Sequence, residues 1–238
     1  MRIELVLVDF DDTLVHTAPR FQNARRELFK LLADCGFSEH DVSRTHHDEV
    51  DPMMRQTYGL GPARMEPSFR ETYEALCRAG NCPVDVDISE RAASIGRTVA
   101  GAPPVISGAL ESLQQLAATF PTVLYTQSGD HEYQLGCVTA SGVLDVVPLE
   151  RVRICGSKTT DQFKAVIGEF GVADPASVWM IGNSMRSDIN PALEAGANAI
   201  YVETDDPWEF DMVEPFSPAF HTVGSFSEAV RFLMGRQG

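Results

Sequence analysis

The sequence predicts an α/β fold: a Rossmann-like, doubly wound parallel sheet with a helical domain inserted after its first strand. Three observations lead there. Short apolar runs of strand length recur at Ile3 to Val8, Thr122 to Tyr125, Val178 to Ile181 and Ala199 to Val202. Helical patterns alternate with the later runs, at Gly108 to Ala118, Asp161 to Phe170 and Asp188 to Ala195. Between residues 16 and 104 the alternation fails, and apolar residues recur at intervals of three and four.

The first run is interrupted only at Glu4 and is rich in branched residues, as expected of a strand buried on both faces of a parallel sheet. From about residue 105 onward, strand, helix and strand follow one another, which implies right-handed crossovers with helices on both faces. In the intervening stretch, Leu28, Leu31, Leu32 and Cys35 form one helical stripe that stops at Gly36, a residue type common just past a helix end. Ser68 and Glu71 have the spacing of a capping box, and Phe69, Tyr73 and Leu76 trace a helical face after them. The chain returns to the sheet through the Gly/Pro-punctuated connection Gly101 to Val105. The expected division is a core of residues 1–15 and 105–238 and a helical domain of residues 16–104. No internal repeat or low-complexity tract is present.

A chain of 238 residues that is 44% hydrophobic and 22% charged can bury a full core. Its 34 acidic residues outnumber 19 basic ones, for a net charge of −15, so nucleic acid and anionic membranes are poor partners. Carboxylates at Asp9, Asp11 and Asp12 cut short the apolar N-terminus, which excludes a signal-peptide core or a span of roughly 20 apolar residues. A cytoplasmic location is expected. The five cysteines, Cys35, Cys77, Cys82, Cys137 and Cys155, are odd in number and contain no CxxC pair, against a disulfide framework or structural zinc.

In open parallel sheets ligands bind beyond the C-terminal ends of the strands, so the residues after each run are the candidates for chemistry. After the first run come Asp9, Phe10, Asp11, Asp12 and Thr13; after the second, Thr126, Gln127 and Ser128; after the third, Gly182, Asn183 and Ser184, with Asp188 five positions beyond Asn183. Lys158 lies just upstream of the helix starting near Asp161. Strand alternation points Asp9 and Asp11 to one side with Phe10 opposite. One carboxylate of such a pair can attack phosphorus while the other donates a proton to the leaving alkoxide and later takes one from water. Clustered carboxylates facing a phosphate dianion call for a hard cation with oxygen ligands, and magnesium suits this set. Lys158 and the Thr126 hydroxyl can hold phosphoryl oxygens.

These residues resemble the motifs of the haloacid dehalogenase-like hydrolases, in particular their phosphatase branch. An apolar strand followed by DxDxT matches Val8 to Thr13, and Thr126, Lys158 and the Gly182 to Asp188 segment match the second, third and fourth motifs in order. The helical insertion falls where that family places its C1-type cap. The resemblance implies Asp9 as nucleophile and magnesium ligand, and Asp11 as general acid/base that also offers its carbonyl to the metal. It further implies Asp188 in the metal site and Thr126, Gln127 and Lys158 around the phosphoryl group of a small phosphorylated metabolite. Asn183 stands where the family most often has aspartate, leaving an amide oxygen but no charge for the cation.

Other readings use the same residues. A phosphosugar mutase or a 2-haloacid dehalogenase would share the fold, although the dehalogenase branch lacks the second acidic residue of the first motif, here Asp11. A phosphate-binding regulatory protein without turnover is the non-enzyme alternative. Lys164 competes with Lys158, Thr126 with a plain turn hydroxyl, and Asn183 and Asp188 with the turn and N-cap of an ordinary βα unit. Asp12 and Thr13 are expected to shape the loop and fix Asp9 through backbone hydrogen bonds. His46, His47 and Asp48 read as polar surface, because adjacent residues diverge on any helix or strand. Arg20, Arg55, Tyr58 and Arg64 are candidate substrate contacts in the insertion, and Trp208 with Glu203, Asp205 and Asp206 follows a core strand where a pocket rim would lie. Oligomeric state is not legible.

Overall fold

The structure is a computed structural model that describes residues 2–59, 61–204, 211 and 213–236; Asp205, Asp206 and Trp208 lie outside them. Among the described residues, six strands form one parallel sheet: β1 (Leu5–Val8), β2 (Thr122–Gln127), β3 (Val152–Cys155), β4 (Val178–Gly182), β5 (Asn198–Val202) and β6 (His221–Val223). Their order is β3-β2-β1-β4-β5-β6, so β1 is central and the chain winds outward from it in both directions. The runs expected as strands became β1, β2, β4 and β5. β3 and β6 are short edge strands, partly exposed, and their weaker apolar signal escaped the sequence pattern.

Alternation along the strands divides the core in two. Val6, Val8, Trp179, Ile181, Ile200 and Val202 face one side, under α6 (Ala109–Thr119), α7 (His131–Ala140) and α10 (Phe226–Met234). Leu5, Leu7, Val123, Tyr125, Val178, Met180 and Ala199 face the other, under α8 (Thr160–Glu169) and α9 (Asn190–Glu194). Register then sets the site. Val8 pairs with Leu124 and with Ile181, so the residues that follow these three positions emerge side by side at the C-terminal edge.

The chain divides into two compact units: Met1–Ala18 with Ala102–Gly238, and Pro19–Gly101. The second unit is helical, with α1 (Ala18–Asp34, of which Ala18 belongs to the first unit), α2 (Glu39–Arg44), α3 (Asp51–Tyr58), α4 (Met65–Ala79) and α5 (Val86–Arg97). Leu28, Leu32, Met65, Phe69, Tyr73 and Leu76 build its core. Gly96 lets α5 touch the start of the α4 backbone, since a methyl group there would run into Met65 and Glu66. Helix α4 starts three residues before the expected capping box. Ser68 is consequently buried inside the helix and Glu71 pairs with Arg78, because packing of Met65 and Phe69 extends the helix beyond its local signal.

The arginines expected to meet substrate are engaged inside this unit. Arg64 is buried against Asp51 (Nε to Oδ1, 3.1 Å), Arg55 binds the other oxygen of Asp51 at 3.3 Å, and the Arg20 guanidinium donates to the carbonyls of Val99 and Gly101. Tyr58 is exposed. The expected polar surface at residues 46 to 48 holds for His47 and Asp48, which are exposed, but not for His46, which is fully buried on a π-helical turn, Thr45–Val50. Thr72 donates its hydroxyl proton to the Ser68 carbonyl (2.8 Å), so His46 Nδ1 must be the donor to Thr72 Oγ1 (3.1 Å).

Burial, and secondarily the neighbouring His47, pulls the His46 pKa down to about 3. The folded protein keeps this ring neutral while the unfolded chain protonates it near the ordinary value, so its contribution to stability is complete above about pH 6.5 and drains away as pH falls toward 3. In thermal melts the gap between wild type and His46→Leu should therefore narrow between pH 7 and pH 4.5; parallel curves would show that His46 is not buried neutral.

Candidate active site

Asp9 leaves the end of β1 still paired to the sheet, its N–H donating to the Ile181 carbonyl at 2.9 Å. Beyond it the chain turns sharply at Asp12, whose φ is 56°. The Asp12 carboxylate accepts from the N–H groups of Thr17 and Ala18 at 2.9 Å, capping the start of α1, and burial lifts its pKa to about 7. Phe10 points into the core with Val6 and Val8, away from Asp9, as alternation requires.

Lys158 Nζ lies between two carboxylates, 2.5 Å from Asp9 Oδ1 and 2.6 Å from Asp188 Oδ1, and all three side chains are buried. Burial alone would discharge the lysine, but Asp188 and Asp9 outweigh it and hold the ammonium well above its ordinary pKa. Burial raises Asp188 to about 7 against the pull of Lys158. The Lys158 main-chain N–H donates to Gln127 Oε1 at 3.1 Å, which ties the lysine loop to the end of β2. The Tyr125 ring lies 5.2 Å from the ammonium. Lys164, the competing lysine, is exposed on α8.

Asp188 is delivered by a π-helical turn, Met185–Ile189, which Ser184 caps through a hydrogen bond from Ser187 N–H. The N-cap is thus Ser184 and not Asp188; Asp188 Oδ2 instead accepts from Ser184 N–H at 3.0 Å. Gly182 makes this possible, because any side chain there would collide with the Asp188 carboxylate.

The second oxygen of Asp9 has neutral partners. Thr13 donates to it through its hydroxyl at 3.0 Å, where a backbone hydrogen bond was expected. The Asn183 amide, in the orientation that satisfies the network, donates to the Asp11 carbonyl at 2.9 Å and lies 3.3 Å from Asp9 Oδ2. Asp11 is held by neutral donors only: Thr17 Oγ1 at 2.5 Å on one oxygen, and on the other Gln134 Nε2 at 2.6 Å and the buried Thr126 hydroxyl at 3.4 Å. Burial and the charge of Asp9 raise the Asp11 pKa, against the bonds from Thr17 and Gln134.

Asp9, Asp11, Thr126, Lys158, Asn183 and Asp188 therefore come together, though with a division of partners. Lys158, Asp9 and Asp188 form one network; Asp11, Thr126, Thr17 and Gln134 form another; Asn183 and Thr13 stand between Asp9 and Asp11. Thr17 and Gln134 were missed. Gln134 lies one helical turn past Asp130, which caps α7, and a polar side chain buried in the first turn after a candidate strand is the signal that would have found it. Among the described residues no three His, Cys, Asp or Glu side chains are arranged as a metal cluster. Asp9 Oδ2, the Asp11 carbonyl and the Asn183 amide nevertheless converge, and a half-turn of that amide presents a third hard oxygen of the kind magnesium takes.

A buried carboxylate, a lysine that holds it and a second carboxylate with a raised proton affinity lie together at the C-terminal edge of a parallel sheet, where ligands bind in open α/β folds. The family model for haloacid dehalogenase-like hydrolases matches residues 3–196, and the chain belongs to that family. No match was found among the curated proteins. A haloacid dehalogenase-like family hydrolase from Xanthomonas campestris is similar in structure, with 26% identity and a TM-score of 0.76 over 99% of this chain and 95% of that one. The HAD-hydrolase YfnB from Bacillus subtilis, bound to magnesium, is 17% identical with a TM-score of 0.60 over 98% of this chain and 99% of that one. At similar identity the matches include a predicted phosphoglycolate phosphatase from Haemophilus somnus and an L-2-haloacid dehalogenase from Xanthobacter autotrophicus, so they show the shared fold alone.

Removing Lys158 leaves two buried carboxylates facing each other. Lys158→Ala should lose about 3–5 kcal/mol of stability, as when one partner of a buried ion pair is deleted, whereas Lys164→Ala should stay within about 0.5 kcal/mol of wild type. Denaturant titration of the two variants measures both, and equal losses would refute the buried network.

Proposed function

We propose that this hydrolase cleaves phosphomonoesters of a small metabolite through a phosphoaspartate formed on Asp9, with magnesium as its cofactor. The carrying observation is Asp11: a second carboxylate beside the first, held by the neutral donors Thr17 and Gln134, with its pKa raised by burial and by the charge of Asp9. Expelling an alkoxide from phosphorus requires such a proton donor, whereas displacing a halide does not, and this favours the phosphatase reading over the dehalogenase one.

Asp9 attacks phosphorus, and Asp11 gives its proton to the departing oxygen. Asp11, now ionised, takes a proton from the water that attacks the phosphoaspartate, which releases inorganic phosphate and restores Asp9. Thr17 and Gln134 hold Asp11 without adding charge, so it can carry or release a proton. Lys158 keeps Asp9 oriented and offers its charge to the transferring phosphoryl oxygens. Asp9, the Asp11 carbonyl, Asn183 and Asp188 would hold magnesium, and Asp188 also binds Lys158 through Oδ1. When bound, magnesium offsets the negative charge that carboxylates and phosphate bring together. In YfnB, of the same fold, a magnesium ion is bound.

A panel of phosphorylated metabolites, read by release of inorganic phosphate with magnesium and with chelator, tests the proposal. Chloride release from a 2-chloro acid runs beside it. Magnesium-dependent phosphate release supports the reading; chloride release without phosphate release overturns it. Asp9→Asn should abolish turnover with the fold intact, because an amide does not attack phosphorus. Asp11→Asn should lower turnover by about 10²–10⁴-fold, the usual contribution of a general acid/base. Unchanged rates on an ester with a poor leaving group would remove Asp11 from that role.

Asn183→Asp adds a charge beside Asp9 and the Asp11 carbonyl. The half-saturating magnesium concentration should fall, because hard cations are held largely by ligand charge. A value unchanged or raised in an activity titration would place the cation away from Asn183.

A further inference from the structure

Helix α4 runs out at Ala79, and its last carbonyls are satisfied by the backbone of Asn81 and Cys82. Asn81 adopts the left-handed conformation, with φ of 50°, and its N–H approaches the Arg78 carbonyl at 3.3 Å. The Cys82 N–H donates to the Cys77 carbonyl at 3.0 Å. This pair of bonds is a Schellman motif, a turn that folds the side chain two residues past the helix cap back onto that of the third-last helical residue. Here those residues are Cys82 and Cys77. Cys82 Sγ lies 3.6 Å from the Cys77 carbonyl oxygen, so the Cys82 thiol is turned back onto the Cys77 residue. Both are free; Cys77 is buried and Cys82 exposed.

We propose that Cys77 and Cys82 are a modification site: a vicinal dithiol, built by the end of α4, that peroxide closes to a disulfide and thiols reopen. A disulfide needs Cα atoms about 4.4–6.8 Å apart, a separation compatible with two residues joined by a direct main-chain hydrogen bond. The turn thus pre-forms the pair. Exposure assigns the first step to Cys82, whose thiolate attacks hydrogen peroxide; an S–O bond forms, the O–O bond breaks and hydroxide leaves. Cys77 sulfur then attacks the sulfenic sulfur, an S–S bond forms, the S–O bond breaks and a second hydroxide leaves. The two thiol protons convert both hydroxides to water, and two electrons pass from the thiols to peroxide. Burial raises the pKa of the Cys77 thiol, which keeps it in the resolving role. Cys35, beyond the end of α1, is near enough for its charge to be felt at Cys77, but it shares no backbone bond with it.

The test uses the whole folded protein, treated with hydrogen peroxide, alkylated and read by mass spectrometry. Three of the five thiols should remain alkylatable, with a loss of about 2 Da for the two hydrogens. Trypsin cuts after Arg78, between the two cysteines, so a dithiothreitol-sensitive species should join peptides 71–78 and 79–91. Cys82→Ser keeps the backbone turn and should form no disulfide under the same treatment. Five alkylatable thiols after oxidation, a link from peptide 31–44 to 71–78, or a disulfide persisting in Cys82→Ser would each overturn the proposal.

Discussion

A buried ammonium flanked by two carboxylates organises the end of this sheet. Lys158 reaches Asp9 and Asp188 at 2.5 and 2.6 Å, in surroundings where an unpaired charge would be costly. Its position constrains everything nearby. The loop carrying Lys158 is tied to Gln127 at the end of β2; Asp188 needs the π-helical turn capped by Ser184; and Gly182 must stay bare for the Asp188 carboxylate to fit. Chain segments far apart in sequence are thereby held at one point by electrostatics that none could satisfy alone.

Asp9 and Asp11 are one residue apart yet live in different fields. Asp9 faces a permanent positive charge, and Asp11 is buried among neutral donors beside the charge of Asp9. Burial beside the Asp9 charge raises the proton affinity of Asp11, against the hydrogen bonds from Thr17 and Gln134. Asn183 adds an uncharged amide to the same corner, against Asp9 and the Asp11 carbonyl.

The helical unit solves a separate problem, since it buries polar groups in a small core. Asp51 is satisfied by Arg64 and Arg55, and His46 stays neutral behind Thr72. Its helix ends are closed with equal economy of means: the same turn that satisfies the last carbonyls of α4 brings two thiols together.

By itself, the sequence determined the architecture and which polar residues gather at the strand ends. Apolar runs buried on both faces mark the central strands β1, β2, β4 and β5 wherever the sheet covers them, and motif order places Asp9, Asp11, Thr126, Lys158 and Asp188 at one edge. Edge strands β3 and β6 left a weak pattern because only part of their surface is buried. What only the tertiary structure decided is which atom meets which: that Asp188 holds Lys158, that Asn183 stands against Asp9 and Asp11, that Gln134 and Thr17 grip Asp11, and that His46 is buried while His47 is not. These pairings span separations from six to well over a hundred residues. Periodicity along a chain reports which face a side chain takes, but the partner it finds there depends on strand register and on the cost of burying charge, and both arise only when distant segments pack.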